Sequence, residues 1–352
     1  MFQWQKFHIF NELATHSINV ELFNPLDFNS VQEANDNLIR RINKGGIDLF
    51  MTTSTEKDLY IDTLEDIKRK GLPTLLICFD NLTVPFNHKW IAPHFDLVWL
   101  TSIETKYLFD KWGVNSIFLS YAANPNIFQP SFNEDIERVL FIGTPYGSRC
   151  KMLNSLLDAD IPVTLHAKSA DIAKNIIPSG SKIDLAREIF RMLSFPIGRK
   201  LAYASLKNKF TKESMLHEKS INLIQNPPVD VKSMMGLYND YALSLSSVTN
   251  RHTGVLSKPV LIVNLRSFEI PAAGGLLFCQ YNPELDGYFN DEKEAVYYHN
   301  EVDMIDKARF YLKNTNKGLR RQIKESARYK AENEHTWYKR FSRIFDKLDI
   351  RY

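Results

Sequence analysis

Glu269 is the residue of this sequence that most needs a chemical reason. It stands in Leu265-Arg-Ser-Phe-Glu-Ile-Pro-Ala-Ala-Gly-Gly275, among Phe268, Ile270, Ala272 and Ala273. A carboxylate in apolar company is costly to bury unless something pairs with it. At the junction of a short helix and the strand-like Leu-Leu-Phe-Cys that follows, it can accept hydrogen bonds from ligand hydroxyls. It can equally pair with Arg266 or another base inside a capped helix. Asn282, next to Pro283, offers a polar group toward a phosphate or simply makes an Asn-Pro turn.

Two further segments carry cationic or phosphate-seeking chemistry. Gly143-Thr-Pro-Tyr-Gly-Ser-Arg149 follows a strand-like run and opens a helix. Its glycines let backbone approach a ligand, and the helix start attracts anions through unpaired amides. Arg149 would add a bidentate contact to a diphosphate. No Gly-Lys-Ser/Thr closes the loop, so it is not a Walker A motif. Thr249-Asn-Arg-His-Thr-Gly254 supplies Arg251 and His252 close in sequence to Arg266, each a candidate diphosphate partner or an ordinary surface ion pair. In the first half, Asp80 ends the apolar run 74–79, where a carboxylate suits a general base or a turn. His88, eight residues on, is the alternative base. Asp158-Ala-Asp160 has a metal-binding spelling but lies between a helix and a strand, where a short polar turn is expected.

The elements that must position these residues alternate. Strand-like runs at 18–23, 47–52, 73–79, 95–100 and 116–120 are separated by helical stretches at 30–44, 56–70 and 103–112. A turn-rich break at 122–137 precedes a second series, with strands at 138–142, 162–167, 220–224, 242–246, 276–280 and 295–298. This rhythm predicts an α/β fold of two Rossmann-like domains facing a cleft. The expected boundaries are 1–130, 131–335 and a C-terminal helix at 336–352. The chain opens on a helix-like pattern (Trp4, Phe7, Phe10, Leu13) where a first strand would be usual. The stretch 183–212 departs from the rhythm: it mixes Arg187, Arg191, Arg199, Lys200, Lys207, Lys209 and Lys212 with Phe190, Leu193, Phe195, Leu201 and Leu206. It reads as a solvent-exposed helical excursion, and it would also suit peripheral contact with an anionic membrane.

Composition narrows the class. The 352 residues are 44% hydrophobic and 24% charged with a net charge of +3, enough for two cores and no case for a nucleic-acid partner. Cys78, Cys150 and Cys279 are scattered, so neither a zinc site nor a disulfide framework is expected. The opening Met-Phe-Gln-Trp-Gln-Lys does not read as a signal peptide, and no apolar run is long enough to span a bilayer. A cytoplasmic protein is expected, with any membrane contact at the inner face.

The run Arg266-Ser-Phe-Glu-Ile-Pro-Ala-Ala-Gly-Gly275 resembles the ribose-binding segment of GT-B glycosyltransferases, in particular the CgeB-like, spore-maturation type. Gly143, Tyr146, Gly147 and Arg149 are similar to the same group's Gly-x-x-Tyr-Gly-x-Arg, and His335-Thr-Trp-Tyr338 to its kink before a crossing helix. The resemblance covers about Asp80 to Trp337. It implies sugar transfer from a nucleotide-sugar donor to a glycan, lipid-linked or protein acceptor hydroxyl, in surface glycan or polysaccharide synthesis. Glu269 would hold the ribose, and Arg149, Arg251 and Arg266 would neutralise the diphosphate, with His252 and Asn282 nearby. Neither a cofactor nor a metal is implied, since cationic side chains and helix dipoles stabilise the leaving diphosphate. Many retaining relatives carry a second Glu eight residues before the ribose-binding one; here that position is Leu261, which leaves the stereochemistry open. A two-domain binding protein without turnover, or a degenerate transferase subunit, would share the outline.

Overall fold

A computed structural model describes residues 3–167, 189–211 and 214–351. The chain divides into two compact units. The first comprises Met1–Lys6, Phe10–Ser120 and Tyr338–Tyr352; the second comprises Phe7–Ile9 and Tyr121–Trp337. Each is built on a parallel sheet, as expected of two Rossmann-like domains.

The first sheet contains β1 (Phe50–Thr52), β2 (Thr74–Cys78), β3 (Leu97–Leu100) and β4 (Ser116–Phe118), in that spatial order and parallel throughout. Helices α1 (Val31–Ile42), α2 (Ile61–Arg69) and α3 (Lys106–Lys111) interleave with the strands. Apolar β2 and β3 are wholly buried, as strands covered on both faces must be. Trp99 of β3 meets Phe79 and Phe341, and Phe79 meets Trp4, so residues from both ends of the chain pack against this sheet. Among the described residues, only helical segments and irregular chain precede β1. The strand expected at 18–23 does not form. Its alternating pattern has no neighbouring strand to pair with, Leu22 stays exposed, and Glu21 pairs with Arg41 of α1 instead.

The second sheet has six parallel strands: β5 (Ile136–Ile142), β6 (Val163–His166), β7 (Leu223–Asn226), β8 (Tyr241–Ser246), β9 (Leu277–Gln280) and β10 (Val296–Tyr298). Their order is β10-β9-β8-β5-β6-β7, so the winding reverses between β5 and β8. Alternate residues of β5 feed two cores. Leu140 and Ile142 join Tyr238, Phe268 and Ile270, while Val139 and Phe141 join Leu153, Leu157 and Ile323. The covering helices include α4 (Ser148–Asp158), α5 (Pro196–Phe210), α6 (Val231–Asp240), α7 (Arg266–Ala272), α8 (Glu301–Leu312) and α9 (Lys317–Glu334). Asp158 and Asp160 fall at the turn between α4 and β6, as the sequence indicated. Half-buried Asp135 binds the buried side chains of Arg320 at 2.8 Å and Lys324 at 2.5 Å, fastening α9 beside the start of β5. The helical run breaks at His335, and α10 (Trp337–Lys347) carries the chain back into the first unit from Tyr338.

Candidate functional site

In open α/β sheets, ligands bind beyond the carboxyl ends of the strands where the winding reverses. Here that place is defined by the loops after β5 and β8, which carry the two cationic segments. Gly143 leaves β5 with its amide still bonded to the His166 carbonyl at 2.9 Å. Its φ of +148° favours glycine. A Cβ there would lie 3.7 Å from Arg266 Nη2 and 3.8 Å from Arg149 Nη1, so two guanidinium groups converge over this backbone. Gly147, at φ +50°, turns the chain into α4.

Tyr146 organises the cations. Arg149 lies over its ring at 4.5 Å and Arg251 at 4.9 Å, a cation–π arrangement that holds both side chains close. Arg149 also donates to the Thr144 carbonyl at 3.2 Å. Burial lowers the Arg149 pKa, with Tyr146 opposing and the Arg266 and Arg251 charges adding to the lowering. For Arg266, burial works against the charge, but Tyr238 and Glu269 outweigh it and the pKa is raised. Among the described residues, none of the three arginines has a carboxylate within ion-pair distance. Three guanidinium groups held together at the carboxyl end of the central strands, with no carboxylate in ion-pair contact among the described residues, form a ready anion site.

Glu269 on α7 is buried, and the partner it requires is His8, whose Nε2 lies 3.2 Å from Oε1. His8 sits in a π-helical turn, Lys6–Phe10, a rare element often found at functional sites. Asn124 holds this turn through the Phe7 carbonyl at 2.8 Å. Burial raises the Glu269 pKa to about 7 against the pull of Arg266, and burial lowers that of His8 to about 4. These directions are the reverse of an ion pair's: between about pH 4 and about pH 7 a neutral carboxyl faces a neutral imidazole. In this conformation Glu269 is therefore engaged by His8 rather than open to ligand hydroxyls. His8 was not among the residues read from sequence, and Tyr238, beside Arg266, was also missed. The single available hint was a histidine set among the apolar Trp4, Phe7, Phe10 and Leu13.

The remaining candidates are placed differently. Asn282 caps the short helix Pro283–Asp286, its Oδ1 accepting the Glu284 N–H at 3.0 Å, which is the turn role foreseen for it. His252 adopts a left-handed backbone at φ +66°, and its Nδ1 lies 3.4 Å from Asn208 on α5. In the first unit, Asp80 is exposed just beyond β2 and its carbonyl closes a turn with Thr83 and Val84. His88 Nε2 lies 3.3 Å from the Thr53 carbonyl, just past β1; burial lowers its pKa while Thr53, Glu56 and Asp80 oppose. Asp80 and His88 thus share the carboxyl edge of the first sheet, within electrostatic reach of each other. Among the described residues, no group of three His, Cys, Asp or Glu side chains could hold a metal ion.

Comparison with known proteins bears on this arrangement. Residues 202–346 match the glycosyl transferase-like family model. The matched region includes β8, the Arg251 loop, α7 and Glu269. The whole chain resembles GT-B glycosyltransferases of known structure. The Anabaena protein Alr3699/HepE, solved with UDP and glucose, superposes with a TM-score of 0.56 at 13% identity, over 96% of this chain and 88% of its own. A glycosyltransferase from Rickettsia africae gives 0.55 at 14% identity, over 96% and 87%. Staphylococcus aureus TarM, solved with UDP and α-GlcNAc-glycerol, gives 0.52 at 12%, over 90% and 59%. The fold is accordingly that of GT-B enzymes. No curated protein matches the chain by sequence.

Proposed function

We propose that this chain is a glycosyltransferase of the CgeB-like, hexosyl-transferring kind, moving a sugar from a nucleotide-sugar donor to an acceptor hydroxyl. The observation that carries this reading is the convergence of Arg149, Arg251 and Arg266 over Gly143 and Tyr146 at the reversal point of the second sheet. A departing nucleoside diphosphate gains negative charge as the glycosidic bond breaks. Preorganised cations aimed at that charge lower the barrier without a metal in the scheme. HepE has been solved with UDP-glucose, and TarM with UDP, which supports a nucleotide diphosphate as the anion.

Glu269 is the group to hold the ribose in this scheme, the sugar diol replacing His8 as its hydrogen-bond partner. Asp80 or His88, at the carboxyl edge of the first sheet, would accept the proton from the acceptor hydroxyl. The acceptor class, a surface glycan or polysaccharide intermediate, belongs to the proposal. It is supported by the similarity to TarM, solved with α-GlcNAc-glycerol. A second reading, binding without turnover, would share the two-unit outline and the cationic site; Leu261, standing where many retaining relatives have a glutamate, leaves the stereochemistry open.

The test is a thermal-shift screen with UDP, GDP, CMP, dTDP, ADP and their sugar conjugates, on wild type and Glu269→Ala. A ligand at 100 times its Kd stabilises the fold by about 2.7 kcal/mol, a shift of several degrees. One nucleotide stabilising wild type but not the variant supports the donor site and names the base. Stabilisation by a nucleotide-sugar without sugar release or transfer selects the binding protein. No shift with any ligand overturns the reading.

A further inference from the structure

The described part of the excursion, residues 189–211, contains five basic residues, Arg191, Arg199, Lys200, Lys207 and Lys209, and no Asp or Glu. The rest of the expected basic stretch, including Arg187 and Lys212, lies outside the described residues. Helix α5 has two faces. Gly198, Leu201 and Ala204 are buried, and the helix packs on the Thr253–Val255 turn that ends the Arg251 loop. Tyr203, Leu206 and Phe210 follow at i, i+3 and i+7, which puts them on one stripe, and they are 59%, 56% and 84% exposed. Phe190, on the helical turn before α5, is 76% exposed. Lys200 and Lys207 flank the stripe, and both are exposed.

An exposed aromatic and aliphatic stripe costs solubility and contributes nothing to the core beneath it. Flanked by cations only, it matches one kind of surface well: an anionic bilayer, where apolar side chains enter the acyl boundary and lysines meet headgroups. A nucleic acid or other polyanion would use the lysines and leave the stripe in water. Among the described residues, no helix is long and apolar enough to cross a membrane, so the contact would be in plane.

We infer that α5, with Phe190 beside it, is a docking surface for anionic lipid. The helix rests directly on the turn that follows Arg251 and His252, and Asn208 reaches His252 from it at 3.4 Å. Docking would therefore hold the cationic site close to a bilayer, which suits an acceptor carried on lipid. The inference stands on this face alone and does not require the transferase reading.

The experiment is vesicle co-sedimentation of the full chain, with no nucleotide present. Vesicles are phosphatidylcholine alone or phosphatidylcholine mixed with phosphatidylglycerol. Wild type should sediment with the mixed vesicles and not with phosphatidylcholine. Leu206→Ser with Phe210→Ser should weaken binding by about tenfold or more, because two exposed apolar side chains no longer insert. Lys200→Gln, Lys207→Gln and Lys209→Gln should each cost about fivefold. All these positions are exposed, so melting temperatures should match wild type, which separates lost docking from lost folding. Equal binding to both vesicle types, or none to either, overturns the inference. So does binding that falls with the lysine changes but not with the double serine variant, which would mark a polyanion site instead.

Discussion

Glu269 and His8 are displaced from their ordinary values in opposite directions, and burial is the main cause for both. The stability each contributes follows from linkage. The Glu269 pKa is raised, so its contribution is complete below its ordinary 4.5 and is lost as pH rises through about 7. The His8 pKa is lowered, so its contribution is present above 6.5 and is lost as pH falls through about 4. Glu269→Gln should therefore gain on wild type as pH rises from 4.5 to about 7, measured by urea unfolding across that range. A difference that stays flat over the window would mean that the carboxyl is not held neutral in the fold. The arginines make a kinetic prediction at the same scale. Arg266→Ala should lower kcat by roughly a hundredfold, the effect of losing one donor to a developing anion. Steady-state kinetics on the donor named by the thermal screen would check it, and an unchanged kcat would remove Arg266 from the leaving-group contact. Arg251 and Arg266 were grouped in the sequence by their closeness along the chain, and Arg149 joined them only through the family resemblance; the strand order that brings the loops after β5 and β8 together is not written in any local pattern. The His8 contact was not legible either. It joins residues far apart in the sequence, and no local pattern marks which histidine a buried carboxylate will find.

At the scale of elements, most strand positions in the second unit were legible because each is a short apolar run closed by turn residues; β7, the exposed edge Leu-Ile-Gln-Asn, forms at Leu223–Asn226 rather than at 220–224 because its polar half carries no apolar signal. The run at 18–23 had the alternation of a strand, but alternation specifies a face and not a neighbour. With no strand alongside it, the chain stayed irregular. The polar anchor beneath α9 was also hidden, since Asp135 lies in a turn-rich break that reads as linker. There it accepts from Arg320 and Lys324, which also donate to the carbonyls of Tyr311 and Lys313 and of Asn239 and Tyr241, respectively. One carboxylate thus balances two buried cations and ties α9 to the ends of α6 and α8. Removing one member of a buried charge group leaves the others uncompensated, at about 3–5 kcal/mol. Asp135→Ala should lower the stability of the second unit by that amount in denaturant unfolding. A loss under about 1 kcal/mol would show that water reaches the two cations once the carboxylate is gone.

At the scale of the molecule, all the candidate donor residues belong to the second unit, while Asp80 and His88 belong to the first. Two compact units need not unfold in one transition, so a single melting temperature is an incomplete readout. Amide exchange resolves them. A ligand stabilises what binds it by RT ln(1 + [L]/Kd), so at 100 times its Kd a nucleotide should slow exchange of its unit's core amides by about a hundredfold. Protection is expected along β5 and the Gly143–Arg149 loop, in the Arg251 loop, and through α7 into β9. Amides of β2 and β3 should gain far less, because the first unit supplies no part of the arginine cluster. The Lys6–Phe10 turn should behave in the opposite sense. If a ribose takes over the Glu269 carboxyl, His8 loses its partner, and amides of that turn exchange faster with nucleotide bound than without it. Faster exchange at 6–10 together with slower exchange at 266–280 would tie both events to one ligand. Slower exchange at both would mean that His8 stays on Glu269 and the nucleotide reaches the arginines alone.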